Sequence, residues 1–317
     1  MKANTLKWDG KQITKPGMYS GIPLELYHKA TICDGPSVSS SMLRMIISQS
    51  PAHFYAQWEG NPDCVEPKDT RAFILGRALH HLMLGEPFFA TLFVIQPKEW
   101  PDEKGELKPW HNGRKVCKEW NAKQAKAGRA ILTPAEVEQI KGMAKSLGKH
   151  PLIKPPVSAL NGAIERSIFW KDKATGLWLK IRPDAIPGDS GDFVDLKKTT
   201  SVQYFDIIRS IEKLGYFQQG ALICQGAREV LGIERPTFTL VFIEDDVPFC
   251  PRVVTLKEND LAVGDKANRV ALDIFARCLK SGHWPGPGGE RADAEYVEMT
   301  DHARARIEDK LTILGAG

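Results

Sequence analysis

Ile181-Arg182-Pro183-Asp184 and, after a turn-rich stretch, Asp195-Leu196-Lys197 put two carboxylates and an ammonium on neighbouring chain segments. In a β-strand, residues i and i+2 share a face, so Asp195 and Lys197 project together while Val194 and Leu196 turn into apolar packing on the other side. Leu177-Trp178-Leu179-Lys180-Ile181 reads as a preceding strand that Asp184 ends. Pro187-Gly188-Asp189-Ser190-Gly191 carries the turn residues that reverse the chain into Phe193-Val194-Asp195. The spacing predicts that the three charged groups converge. Two Asp carboxylates suit a hard cation such as Mg²⁺, which keeps waters and contacts phosphate oxygens. A metal so held lowers the pKa of bound water and stabilises charge on an attacked phosphate. Lys197 would orient that water or, with a depressed pKa, deprotonate it, and the sequence leaves both roles open. An isolated Asp-x-Lys is commonly a surface ion pair; Pro183-Asp184 upstream and a helix behind favour the phosphodiester-cleaving reading.

Working outward, β pattern covers 163–170, 177–181 and 192–197, helices follow over 202–213 and 216–231, and 237–243 is a further strand. This order predicts a mixed α/β fold with a central mixed sheet flanked by helices. Residues 1–35, rich in Gly, Pro and short polar side chains, read as an irregular lead-in. Serines 37 and 39–41 cap a first helix through Met42-Leu43-Arg44, and Ser50-Pro51 restarts a second through Phe54, Tyr55 and Trp58. Another spans 69–84, ended by Gly85-Glu86-Pro87, and Thr133-Pro134-Ala135-Glu136 opens one to about 147. A long helix over 257–279 closes the pattern, with 282–289 ending the regular fold. We read one domain over 36–290, made of a mainly helical part (36–150), a sheet core (160–245) and a terminal helix (257–281), followed by a tail over 291–317.

Composition narrows the class without naming a partner. At 317 residues, 42% hydrophobic and 26% charged, the chain can fill a full core, and its net charge of +4 is compatible with a phosphate-rich partner without pointing to one. No apolar run of membrane-spanning length occurs and Met1 to Asp9 lack the apolar core of a signal peptide, so a cytoplasmic location is the expectation. The 6 cysteines are scattered without a CxxC pair, which argues for free thiols and against zinc or an iron–sulfur cluster. Residues 98–130 interleave cations, Lys115 and Lys118 among them, with Trp100, Trp110 and Trp120. Such a mixture serves a strand-tracking groove, cations on phosphates and rings on bases, or it is a solvated helical insertion with its tryptophans packed inward.

Pro183-Asp184, Asp195-Leu196-Lys197 and their strand-strand-strand-helix context resemble the PD-(D/E)XK nuclease superfamily, and more closely its RecE-like phage and prophage exonucleases of exodeoxyribonuclease VIII type. Gly76-Arg77-Ala78-Leu79-His80 is similar to their helical histidine motif, Glu165 opens a strand as an acidic residue does there, and Gln219 lies in a helix after the catalytic strands. The resemblance spans roughly 20–290 and implies a restriction-endonuclease-like core. It implies Asp184 and Asp195 as metal ligands for Mg²⁺, with Mn²⁺ a possible substitute, and Lys197 as the water-orienting group. His80 would be a further ligand or support, Glu165 an acidic aid and Gln219 a contact near the scissile strand. His81 leaves the histidine register open, Glu165 could instead pair with Arg166 or Lys180, and Gln219 could satisfy a backbone group. A tyrosine often found four residues after the glutamine is Ile223 here, and Tyr216 could fill neighbouring space on the same helical face. Arg182 and Lys198 flank the carboxylates as candidate phosphate contacts, and Ser39, Ser41 and Arg44 are candidates for recognising a DNA 5′ end.

The function this implies is a Mg²⁺-dependent exonuclease on double-stranded DNA ends, digesting 5′ to 3′ and leaving 3′ overhangs for phage-type recombination in a bacterial host. A homo-oligomeric ring and a RecT-like single-strand annealing partner follow by the same analogy. Two other readings stand beside it: an endonuclease of restriction or CRISPR-adaptation type, and a non-catalytic DNA-binding scaffold.

Overall fold

Alternation along Asp192–Thr199 organises the molecule. Phe193 faces a core shared with Leu222, Leu240, Phe242 and Phe275. Val194 and Leu196 face a second core with Leu79, Ile140, Met143 and Val241. Apolar residues on both faces make this an interior strand, paired in parallel with Thr237–Glu244 on one side and antiparallel with Ala185–Ile186 on the other. The computed structural model describes residues 5–65, 69–85, 89–153, 160, 162–188, 190–289 and 293–315. Met1 to Asn4, the Glu86-Pro87 helix stop and Asp189 of the predicted turn lie outside them.

The architecture is mixed α/β, and among the described residues four strands pair in two small two-stranded sheets while ten form two five-stranded ones. One holds Asp192–Thr199, Ala185–Ile186, Ala163–Ile164, Thr237–Glu244 and Pro251–Thr255; the other holds Ser167–Lys171 and Trp178–Ile181 with three short N-terminal strands. The division falls inside what the sequence pattern presents as a continuous 163–170 strand. Ala163–Ile164 ends at Glu165-Arg166 and the chain resumes as Ser167–Lys171 in the other sheet. The partner segment breaks opposite, at Arg182-Pro183-Asp184, so one antiparallel hairpin bends from sheet to sheet: Ile181 pairs with Ile168 and Ala185 with Ile164. Alternation cannot reveal such a bend, because both halves keep the same period.

Helices cover both cores. Arg71–Met83 is capped by Thr70, whose side chain accepts from the Phe73 amide, and buries Leu75, Ala78 and Leu79. Pro134–Leu147 carries the expected Thr133/Glu136 capping box. Tyr216–Gly226 continues into a π-helical turn over Ala227–Leu231 and packs on the 24-residue helix Glu258–Ser281. At Gly264 a Cβ would lie 2.3 Å from the Phe217 carbonyl oxygen, so glycine permits that close crossing.

Two terminal expectations are corrected. The 1–35 segment is structured: Thr5–Lys7 and Gly17–Ser20 extend the second sheet, and Ile13, Tyr19, Ile22 and Tyr27 close a third core against Phe169 and Trp178. Its glycines and prolines punctuate short elements rather than replace them. Past Gly289, an exposed helix occupies Asp301–Ile313 where a plain tail was expected. Among the described residues, no helix is long and apolar enough to cross a membrane.

Candidate active site

The bend in the hairpin delivers the carboxylates. Glu165 adopts φ +50°, a left-handed conformation uncommon for a residue with a side chain, and its amide donates to the Asp184 carbonyl oxygen at 3.1 Å. Pro183 supplies no amide at the opposite break, so the ladder stops there and Asp184 turns inward. Asp184 is only 7% exposed and Asp195 2%, a burial that is costly for two carboxylates unless cations and hydrogen bonds compensate.

Compensation comes from three elements. Lys197, two residues along the same strand face, forms an ion pair with Asp195 Oδ2. Gln219 Nε2 donates to that oxygen at 3.0 Å from the Tyr216–Gly226 helix. Leu196, facing the other way, turns its backbone to the site: its amide donates to Asp184 Oδ2 at 2.6 Å and its carbonyl accepts from His80 Nε2 at 2.8 Å. His80 Nδ1 lies 3.4 Å from the same Asp184 oxygen. The register question is thereby answered, since His80 faces the carboxylates while His81 is buried edge-on against Phe93, centroids 5.6 Å apart.

The charges fix one another. Burial alone would raise Asp184, but His80, Lys197 and the Leu196 amide outweigh it and hold the carboxyl below its ordinary range. Asp195 goes the other way, raised by burial and by the negative charge of Asp184. Burial opposes charge on His80, yet Asp184 beside it lifts the imidazole to about 9. Lys197 is likewise raised despite burial, by Asp195, Tyr216 and Asp184. Of the two roles open to Lys197 in the sequence, an ammonium that positions is the one this environment supports.

Glu165 joins this group more closely than expected. One ligand atom from each of His80, Glu165 and Asp184 falls within a mutual 4.8 Å, a spacing that suits a single cation. Arg182 lies 3.5 Å from it, a different cation from the Arg166 and Lys180 that the alternative reading offered. Tyr216 lies beneath two cations, Lys197 at 5.0 Å and Arg44 at 5.9 Å from its ring centroid. Arg44 is steadied by the Leu214 carbonyl at 2.7 Å, and Gly215, at φ +64°, leaves room for it where a Cβ would lie 2.8 Å from Arg44 Cδ.

Other candidates have different surroundings. Arg182 is committed to the Ile22 carbonyl, to Ser167 Oγ at 2.9 Å and to the Tyr27 ring. Lys198, on the face away from Lys197, pairs with Asp245. Ser39 and Ser41 share a hydrogen bond at 3.0 Å at the start of the Ser40–Ser48 helix. Lys115 and Lys118 are exposed on the Lys115–Lys126 helix, where Trp100, Trp110 and Trp120 pack edge to face on one another at 5.2–6.5 Å. Those rings take the inward-packed alternative, not that of a base-stacking groove. The sequence reading missed the two Leu196 backbone groups, whose only signal is their place between Asp195 and Lys197.

Comparison with known proteins agrees with this geometry. A family model described as "PDDEXK-like domain of unknown function (DUF3799)" matches residues 39–299. A crystal structure from Eubacterium rectale, named "Putative exonuclease", superposes with a TM-score of 0.55 at 15% identity, covering 83% of this chain and 91% of that one, a likeness of fold. No curated protein matches the chain.

Proposed function

The chain belongs to the PDDEXK-like family DUF3799, and from that premise we propose that it is a divalent-metal-dependent deoxyribonuclease, an exonuclease acting on double-stranded DNA ends. The observation that carries the reading is the convergence of Asp184, Asp195 and Lys197 at one buried point, with His80 and Glu165 beside them. Nothing in the packing requires two buried carboxylates so close together. A cation and a phosphate account for them.

The donor set fits a hard divalent ion. Carboxylates from Asp184 and Glu165, with Asp195 as a further ligand, would hold Mg²⁺, with Mn²⁺ as a substitute, and the His80 imidazole would join them on losing the Nδ1 proton it turns to Asp184. Gln219 Oε1, buried without a hydrogen-bond partner among the described residues, is an acceptor left for a water. Bound there, the metal supplies an acidified water and charge neutralisation at the phosphate. The protein's own part is positional. Lys197, held protonated over the Tyr216 ring, directs the nucleophilic water and offsets charge on the phosphate oxygens. His80 spans Asp184 and the Leu196 carbonyl and so fixes both. Glu165, set by its left-handed backbone, completes the acidic wall.

Resemblance to RecE-like exonucleases is the ground for extending the proposal to 5′-to-3′ digestion, 3′ overhangs, a homo-oligomeric ring and a RecT-like annealing partner. The test is a time course on end-labelled, 5′-phosphorylated linear duplex with Mg²⁺, beside closed circular DNA. Release from linear ends alone, abolished by Asp195→Asn, is expected. Cutting of the circle would make the protein an endonuclease, and binding without release a scaffold.

A further inference from the structure

A cleft of about 630 Å³ is lined in part by Glu165, which also belongs to the candidate metal cluster. Its polar lining comprises Arg77, Arg166 and Arg182 together with Glu25, Glu165 and His81. Its apolar lining includes Ile22, Leu24 and Leu92. The volume lies in the range of about 300–1,000 Å³ that encloses one small organic ligand. It gives room for a single nucleotide.

The arginines differ in what they have left to offer. Arg182 is fully engaged, as described, and contributes mainly field. Arg77 sits one helical turn before His80, so guanidinium and imidazole share a helix face. It pairs with Asp69 at 3.3 Å and lies over Phe73 and Phe93, yet its Nε is buried without a hydrogen-bond partner among the described residues. Arg166 directly follows Glu165; it spends one NH group on the Ile164 carbonyl at 3.2 Å, and its Nε is in the same unpartnered state. Both Nε atoms are shut off from solvent, so what each guanidinium offers a ligand in the cleft is its NH groups, and a phosphate is the anion that such forks match.

We propose that this cleft seats the nucleotide on one side of the scissile bond, with Arg77 and Arg166 binding its phosphate and its base lying on Ile22, Leu24 and Leu92. The assignment rests on the nuclease reading for its substrate class. It adds what holds the nucleotide beside the scissile bond.

The experiment is calorimetric titration of the full chain in EDTA, where cleavage plays no part, with thymidine 5′-monophosphate, thymidine 3′-monophosphate and thymidine. One monophosphate is expected to bind, identifying the side of the bond, with thymidine about tenfold weaker or worse. Arg166→Ala should weaken that binding about tenfold or more. Leu24→Trp, which fills the cleft without altering charge, should do likewise, while both variants keep the melting temperature of the wild type. Equal binding of thymidine and its phosphates, no binding by the wild type, or unchanged binding in both variants would overturn the assignment. Nucleotide binding without DNA cleavage would remove the nuclease reading and leave the cleft; cleavage with unaltered nucleotide binding in the variants would do the reverse.

Discussion

Two regions of this protein are rich in charge and treat it in opposite ways. At the bent hairpin, Asp184 and Asp195 are buried and each is answered by a named cation or amide. In the 98–130 segment the lysines are exposed and the tryptophans pack on one another, so little is held at one geometry. The difference teaches where chemistry can reside. Buried, mutually compensated charges are expensive to assemble and are pre-organised for transition-state charge. Exposed ones are screened, cheap and suited to nonspecific attraction of a polyanion.

The sharpest way to break the comparison is at Lys197. Lys197→Ala should lower cleavage about 10³-fold, the scale of losing one positioned charge, with duplex affinity changed only a few-fold. It also leaves Asp195 beside Asp184 with Gln219 as its named remaining support, so the variant should melt lower than wild type and recover on adding Mn²⁺. Cleavage is read on labelled duplex and binding by fluorescence anisotropy. Loss of binding equal to the loss of cleavage would show that the site attracts DNA rather than acts on it.

A buried charge outside the site supplies the control. Lys180 is 1% exposed, donates to the Lys29 carbonyl at 3.0 Å and lies over the Tyr27 ring, with no carboxylate ion-paired to it among the described residues. Burial pushes its pKa from the ordinary 10.5 down to about 8, against the weaker upward pull of Cys33 and Glu59. The folded state therefore binds fewer protons than the unfolded one between those two values. Its cost to stability is complete below pH 8 and is relieved as pH rises toward 10.5. Lys180→Met should accordingly be more stable than wild type by about 2–3 kcal/mol at pH 7, the gap closing by pH 10. Urea unfolding of both proteins across that range measures it, and a gap independent of pH would show that the amine is not the titrating group.

The tryptophan trio offers a smaller effect. Trp110→Ala removes a ring whose centroid lies 5.2 Å from Trp120, and a half-buried ring of this kind should cost roughly 2 kcal/mol of local stability. Faster amide exchange across 98–130 with unchanged single-strand affinity is expected. Weaker affinity with unchanged exchange would restore the base-stacking role that the edge-to-face packing denies.

What could be read from residues alone follows the same division. Asp195 and Lys197 were legible because a strand's two-residue period is rigid, and Thr133, Pro134 and Glu136 because caps are local chemistry. The bend at Glu165 and Arg182-Pro183-Asp184 was not, since it depends on which sheet each half joins. Glu165 was therefore reached only through the family resemblance, as an acidic aid at the head of a strand, and not as a member of the cation-sized cluster. The Leu196 backbone groups were hidden for a related reason: every residue has an amide and a carbonyl, and only tertiary placement selects which ones matter. Packing among Trp100, Trp110 and Trp120 stayed one of two open readings, because cations interleaved with rings read alike whether the rings face solvent or each other.

Replacing Lys115 and Lys118 together by Gln sharpens the comparison from its weaker side. Both ammonium groups are exposed on the first turn of the Lys115–Lys126 helix, so neutralising them should leave the fold and the chemical step untouched. If each contacts one phosphate, the slope of log affinity against log salt should become shallower by about 2, and the affinity loss should fade as salt rises. Cleavage at saturating DNA should match wild type, since the Asp184, Asp195 and Lys197 contacts do not involve this helix. A lower saturated rate with an unchanged salt slope would place the basic helix at the chemistry, and the contrast between buried and exposed charge would then fail as a guide to function in this protein.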